Sequence, residues 1–188
     1  MRIGNFLFKY RSFIPAPLFI LLIIFFRGVP LTFIIGIILS LIGIILRIFI
    51  QEYTGDWMRG NKVSGEFLLK EGPYNIIRHP FYLANFFVGT GIFIIPNFYL
   101  IITLPIFFLI FFLYYYFIII EEEKYLKEKF DGEFEEYRKK VPAIIPRNLA
   151  LKGSRRRGFK DALKMESSTI LTISIVILIY AGRYFWKH

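Results

Sequence analysis

Apolar residues in this chain collect into five runs, at 13–26, 31–50, 81–95, 98–120 and 169–186, with polar stretches between them. Runs approaching 20 residues without charge are what a hydrocarbon core of roughly 30 Å demands of a helix. The first and third runs are shorter, and each is paired with a full-length neighbour. The links Arg27-Gly28-Val29-Pro30 and Pro96-Asn97 are long enough only to reverse a helix. Spans one and two, and spans three and four, are therefore predicted to form antiparallel hairpins. The expected fold class is all-α: a polytopic helical membrane protein of about five transmembrane helices, plus an amphipathic helix.

That amphipathic helix is read from 121–146, EEEKYLKEKFDGEFEEYRKKVPAIIP, which runs straight on from span four. Leu126, Phe130, Phe134, Tyr137 and Val141 recur at helical steps, giving one apolar stripe. Gly132 weakens this helix and is expected to bend it. Most of its carboxylates have surface partners at helical offsets: Glu121 with Lys124, Glu123 with Lys127, and Glu135 and Glu136 with Lys139 and Lys140. Glu122 instead falls on the apolar stripe, four residues before Leu126. A carboxylate there costs free energy unless something satisfies it, so Glu122 reads as a ligand contact, against the alternative that it turns out into water.

Charge then orients the chain. Of the 24 Lys and Arg, 13 lie in 121–168, 4 in 51–80 and 3 in the N-terminal arm, against 1 in the first short turn and none in the second. The positive-inside rule puts the N-terminus and both long polar segments in the cytoplasm and the C-terminus on the opposite side. The net charge of +10 suits anionic lipid headgroups better than nucleic acid, because most of it sits beside the spans. The Arg155-Arg156-Arg157 triplet accordingly reads as a topology anchor rather than a phosphate site. The first span resembles a signal peptide but begins with Pro15 and Pro17 and lacks a small-residue cleavage site, so it is expected to be retained. With 56% apolar and 20% aromatic residues, the chain is neither disordered nor an ordinary soluble domain. The absence of cysteine excludes disulfides, a thiolate nucleophile, zinc–thiolate sites and iron–sulfur clusters. The division expected is 1–147 as one membrane domain, with its core at 65–147, and 148–188 as a basic linker with an additional helix.

No G-x-G-x-x-G, Walker lysine loop or H-E-x-x-H occurs, and no metal site is expected. The informative stretch is 68–85, LLKEGPYNIIRHPFYLAN. His79 precedes a proline, which pushes it out of the α region, while Pro80 suits the first turn of span three. The amides of Phe81, Tyr82 and Leu83 then face the cytoplasmic interface at the positive end of a helix dipole, where an anion such as a ligand carboxylate is favoured. The bland alternative is a span entrance with Arg and Tyr at headgroup level. Arg47 and Asn85 are substrate-contact candidates, with snorkelling and an interhelical hydrogen bond as their respective structural alternatives.

The order Gly72-x-Tyr74, Arg78-His79-Pro80-x-Tyr82, an apolar hairpin, then Glu122-Glu123-x-x-Leu126, Phe130, Tyr137 and Val141-Pro142 resembles the integral-membrane methyltransferases that include isoprenylcysteine carboxyl methyltransferase and the phospholipid N-methyltransferases. The resemblance covers about 65–147. It implies an all-helical membrane enzyme binding S-adenosylmethionine, with Leu68, Leu69, Tyr74, His79, Pro80, Phe81 and Tyr82 lining the cofactor and Glu122 and Glu123 closing over it. Three positions depart from the pattern: Ala84 and Asp131 stand where glycines are usual, and Phe134 replaces a tyrosine. None removes a chemically required group. His79, the only internal histidine, fits cofactor binding before base catalysis. The implied acceptor is a lipid or lipid-modified molecule reaching the site sideways from the bilayer: a phospholipid amine, a prenylcysteine-type carboxylate or a small amphipathic molecule. Two rival readings are an NADPH-dependent membrane oxidoreductase like the sterol reductases, which would draw on the basic 138–157 stretch, and a non-catalytic membrane scaffold.

Overall fold

The computed structural model describes residues 22–54 and 67–187. The first predicted span, 13–26, falls mostly outside these residues. Among them the chain is entirely helical and turn, with helices α1 (Pro30–Thr54), α2 (Pro80–Ile94), α3 (Leu100–Lys140) and α4 (Phe159–Lys187), and a 3-10 turn at Gly72–Asn75. This is a polytopic helical membrane protein. Helices α1, α3 and α4 are long and apolar enough to cross a bilayer. At 15 residues α2 is about 22 Å long, short of a full crossing.

Proline sets the helix starts. Pro30 and Pro80 occupy first-turn positions, where the missing N–H is no loss, and His79 is the N-cap of α2 with φ −122° and ψ 63°. The reversal between α2 and α3 is tight because Asn97 and Tyr99 both adopt positive φ, at 53° and 42°. Helix α4 begins at Phe159, ten residues before the apolar run that announced it, with Asp161 favourably placed in its first turn.

Small residues let α1 and α2 approach closely as an antiparallel pair. Gly36, Ser40 and Gly43 of α1 face Gly91 and Ala84–Val88 of α2 and Ile95 just after it. A Cβ on Gly43 would lie 2.7 Å from the Ala84 carbonyl oxygen, so the backbones touch where side chains would normally intervene. Helices α2 and α3 meet instead through rings. Phe93 stacks on Phe107 at 4.4 Å, Phe86 meets Phe108, Phe111 and Phe112, and Tyr82 meets Tyr115 at 4.7 Å. Helix α4 lies antiparallel to α1, with Tyr184 against Phe33 at one end and Glu166 against Arg47 at the other. Its Ile173 and Tyr180 join Leu22, Phe26, Ile92, Phe93 and Ile95 in the main core. One face of α3, including Ile101, Ile102, Leu109 and Ile110, is exposed, as suits a surface turned to lipid.

These pairings gather the C-terminal end of α1, the N-terminal ends of α2 and α4, and the polar half of α3 at one end of the bundle. A straight helix of 41 residues would run about 60 Å, but α3 does not run straight. Asp131 has φ 37° and ψ −117°, and the helical segments on either side of it fold back on each other. Glu123 and Arg138 would be about 22 Å apart along a straight helix, yet their charged groups are 3.5 Å apart. The bend expected at Gly132 is therefore present one residue earlier. It returns Phe134, Tyr137 and Val141 to pack on Leu68, with Leu126 and Phe130 alongside, so the apolar stripe becomes the inside of a helical elbow.

Candidate active site

The elbow brings the chain after α3 against the residues before α2. Backbone bonds run from Arg78 N–H to the Pro142 carbonyl at 2.8 Å and from His79 N–H to the Ala143 carbonyl at 3.0 Å. The Arg78 side chain donates to the carbonyl oxygens of Arg138, at 3.2 Å, and Val141. This guanidinium caps the orphan carbonyls of a helix C-terminus, a favourable place for a cation.

Arg78 also donates through Nε and Nη2 to one oxygen of Glu123, at 2.9 and 2.6 Å. The same oxygen lies 3.1 Å from His79 Nε2. The other ring nitrogen, Nδ1, is 3.3 Å from Glu122 Oε2, which also accepts the Tyr82 hydroxyl at 2.5 Å. His79 and Tyr82 stack with ring centroids 5.3 Å apart. The imidazole is thus held between two carboxylates, and only the protonated ring can donate to both.

Burial of His79 works against that proton, but the hydrogen bonds and charges of Glu122 and Glu123 outweigh it and raise the imidazole above its ordinary 6.5. Burial pushes the Glu123 carboxyl up, while His79 and Arg78 pull harder and hold it below its ordinary 4.5. Tyr74 is kept neutral, chiefly by burial and then by the nearby Glu122 charge. Burial likewise raises Tyr137, whose hydroxyl donates to the Tyr74 carbonyl at 2.6 Å and ties the elbow to the 3-10 turn.

A second polar layer lies one turn deeper. Asn85 donates to the Tyr115 hydroxyl at 3.0 Å and accepts from Arg47 Nη1 at 2.5 Å. Arg47 also engages Glu166 of α4 at 2.6 Å.

Of the residues singled out from sequence, His79, Pro80, Tyr82, Glu122 and Glu123 converge on one corner. Leu69, Tyr74 and Phe81 pack beside it with Leu46, Ile50 and Ala84, while Leu68 sits in the elbow core. Among the three amides at the start of α2, that of Tyr82 turns back to the His79 carbonyl at 3.1 Å. Glu123 corrects one expectation. It turns away from its own helix to Arg78 and His79, leaving Lys127 to pair with Glu135 at 2.9 Å and Lys124 with Glu128 at 4.0 Å. Four participants have no role assigned from sequence: Arg78, Tyr115, Tyr137 and Glu166. Arg78 is visible in its motif and Tyr137 on its stripe, whereas Glu166 has no local signal. The arginine triplet binds the end of α1 and the loop before the 3-10 turn: Arg155 pairs with Glu52 at 3.3 Å and Arg156 with Glu71 at 3.5 Å.

A family model described as phospholipid methyltransferase matches residues 31–133. That span takes in α1, the Arg78–Tyr82 corner and α3 through both site glutamates. No curated protein and no solved structure matches the chain. With more than half of its 188 residues inside the match, the chain belongs to the phospholipid methyltransferase family and is a membrane methyltransferase acting on phospholipid-like substrates.

Proposed function

We propose that this protein transfers a methyl group from S-adenosylmethionine to a lipid acceptor, a phospholipid amine or a prenylcysteine-type carboxylate, at the cytoplasmic membrane interface. The observation that carries the reading is the Arg78–Glu123–His79–Glu122–Tyr82 constellation, which lies wholly inside the family match.

The chemistry of these groups fits the cofactor. Glu122 and Glu123 offer carboxylates to ribose hydroxyls or the amino group, the start of α2 favours a carboxylate, and the rings of Tyr74 and Tyr82 present faces to a sulfonium cation. Leu69, Pro80 and Phe81 supply the apolar lining, and Leu68 backs it from the elbow core. When bound, S-adenosylmethionine supplies a methyl on sulfonium that leaves by in-line displacement. The protein's part is to hold donor and acceptor in line and exclude water.

His79 acts here through charge. With its proton retained between two carboxylates it is a poor base, and it fixes the positions of both glutamates instead. A carboxylate acceptor needs no base, whereas an amine must arrive deprotonated or lose its proton to a neighbouring carboxylate. A lipid acceptor would reach the site sideways from the bilayer, to which α3 turns an exposed apolar face. The positive-inside distribution supports the cytoplasmic side for this end of the bundle. Three of the eight basic residues in 138–157 that a reductase could turn to a nucleotide phosphate are engaged within the protein: Arg138 with Glu123 and Glu135, Arg155 with Glu52, and Arg156 with Glu71.

The test is transfer of labelled methyl from S-adenosylmethionine by purified protein in nanodiscs offered a total lipid extract, with Glu122→Gln as control. Label in an extractable lipid, lost in the variant, is the expected result. No transfer, with no cofactor binding by calorimetry, would overturn the reading.

A further inference from the structure

Helix α4 lies beyond the matched 31–133 and yet carries a carboxylate into the interior of the bundle. Glu166 is 2% exposed. Its two oxygens accept from Arg47 Nε at 2.6 Å and Nη2 at 3.2 Å, and Oε1 accepts also from Gln51 Nε2 at 3.0 Å. Gln51 is itself fixed, since its side-chain oxygen accepts from the Thr54 hydroxyl at 2.6 Å.

Two parallel bonds to one carboxylate set the plane of a guanidinium as well as its place. With that plane set, Nη1 is aimed at Asn85 Oδ1 at 2.5 Å, and the guanidinium lies over the Phe81 ring at 5.2 Å. An asparagine amide can sit either way round, and a cation on its oxygen decides which. Held this way, Asn85 directs its NH2 to the Tyr115 hydroxyl at 3.0 Å. Tyr115 packs on Tyr82 at 4.7 Å, and the Tyr82 hydroxyl is on Glu122 at 2.5 Å. Each contact fixes the orientation of the next group, from α4 through α1, α2 and α3 to the site glutamate.

We propose that Glu166 is a positioning residue of the methyl-transfer site, and that α4 is a working part of the enzyme rather than an appended anchor. This rests on the methyltransferase reading. An arginine–glutamate pair drawn this far out of water often gives no more stability than a well-packed apolar pair. What this pair adds is direction: it presents one donor to Asn85 in one orientation.

The contrast between stability and direction gives the experiment. Thermal midpoints are measured in nanodiscs for wild type, Glu166→Leu and the double variant Arg47→Met with Glu166→Leu, together with kcat and KM for S-adenosylmethionine. Glu166→Leu strands a part-buried guanidinium and should lower both midpoint and activity. The double variant removes both charges and should regain the midpoint, yet its kcat/KM should stay about tenfold down because Asn85 has lost its anchor. A double variant with wild-type kcat/KM overturns the proposal. If the double variant does not regain the midpoint, Glu166→Gln is read in its place: folded with kcat/KM about tenfold down supports positioning, and unchanged overturns it. Wild-type protein that transfers no methyl defeats the functional reading itself, a failure visible before any variant is made.

Discussion

Arg78 and Glu123 are 45 residues apart in sequence and joined by two hydrogen bonds to a single carboxylate oxygen, at 2.9 and 2.6 Å. The pair couples the entrance of α2 to α3, and Arg78 carries on to the carbonyls that end α3. Glu123→Gln keeps the shape and removes the charge that both Arg78 and His79 need. Hydrogen bonds to charged groups contribute roughly 1.5–3 kcal/mol each, so S-adenosylmethionine affinity should fall by roughly 10- to 100-fold. Titration calorimetry on the folded variant checks this. An affinity equal to wild type would show that Glu123 does not shape the cofactor site.

The two titrating partners at this corner give opposite pH limits. His79 is raised above 6.5, so its contribution to stability is complete below that pH and is lost as pH rises through the raised value. Glu123 is lowered below 4.5, so its contribution is complete above that pH and is lost as pH falls through the lowered value. Between these limits the corner is at its firmest. Thermal midpoints across pH should decline on the alkaline side in wild type, and that decline should flatten in His79→Gln. An alkaline limb of equal slope in the two proteins would remove His79 as its source.

The fold is legible in the sequence where local pattern decides it. Runs of apolar residues locate α1, the membrane half of α3 and α4, and Pro80 marks the start of α2 because its missing N–H costs nothing there. The amphipathic stripe finds the elbow's inner face, and Glu122 stands out as the carboxylate on that stripe. Periodicity assigns Glu123 to Lys127 because helical offsets see only neighbours four residues away, whereas its partners Arg78 and His79 arrive from a different element. Glu166 is invisible for the same reason: its partner Arg47 is 119 residues upstream, and nothing near it in sequence marks it as buried. Pairings that depend on the bundle's assembly leave no trace in periodicity.

Asp131 sits at φ 37°, where a side chain is strained and glycine is not. The resemblance to the membrane methyltransferases implies a glycine at this position, and the elbow gives a physical reason for one. Relief of local strain of order 1–3 kcal/mol, less the roughly 0.5–1 kcal/mol that glycine loses in ordering, leaves a net gain of about 1 kcal/mol for Asp131→Gly. The variant should melt a few degrees above wild type with methyl transfer retained. A lower midpoint would mean that the aspartate side chain contributes more than its backbone strain costs.

Tyr82 makes two separable kinds of contact, ring packing on His79 at 5.3 Å and Tyr115 at 4.7 Å, and a hydroxyl bond to Glu122 at 2.5 Å. Tyr82→Phe keeps the first and removes the second. Glu122 then retains His79 as a partner but loses the donor that fixes its oxygen from the α2 side. A hydrogen bond to a charged acceptor contributes roughly 1.5–3 kcal/mol, so kcat/KM for S-adenosylmethionine should fall at least about tenfold. The thermal midpoint should move little, because the ring and its contact with Tyr115 at 4.7 Å survive. Tyr82→Phe also stands as the last step of the relay from Glu166, so its kinetic loss and that of the Arg47→Met with Glu166→Leu variant should not add when combined. Losses that multiply would separate the two sites and place the influence of α4 on some other wall of the pocket.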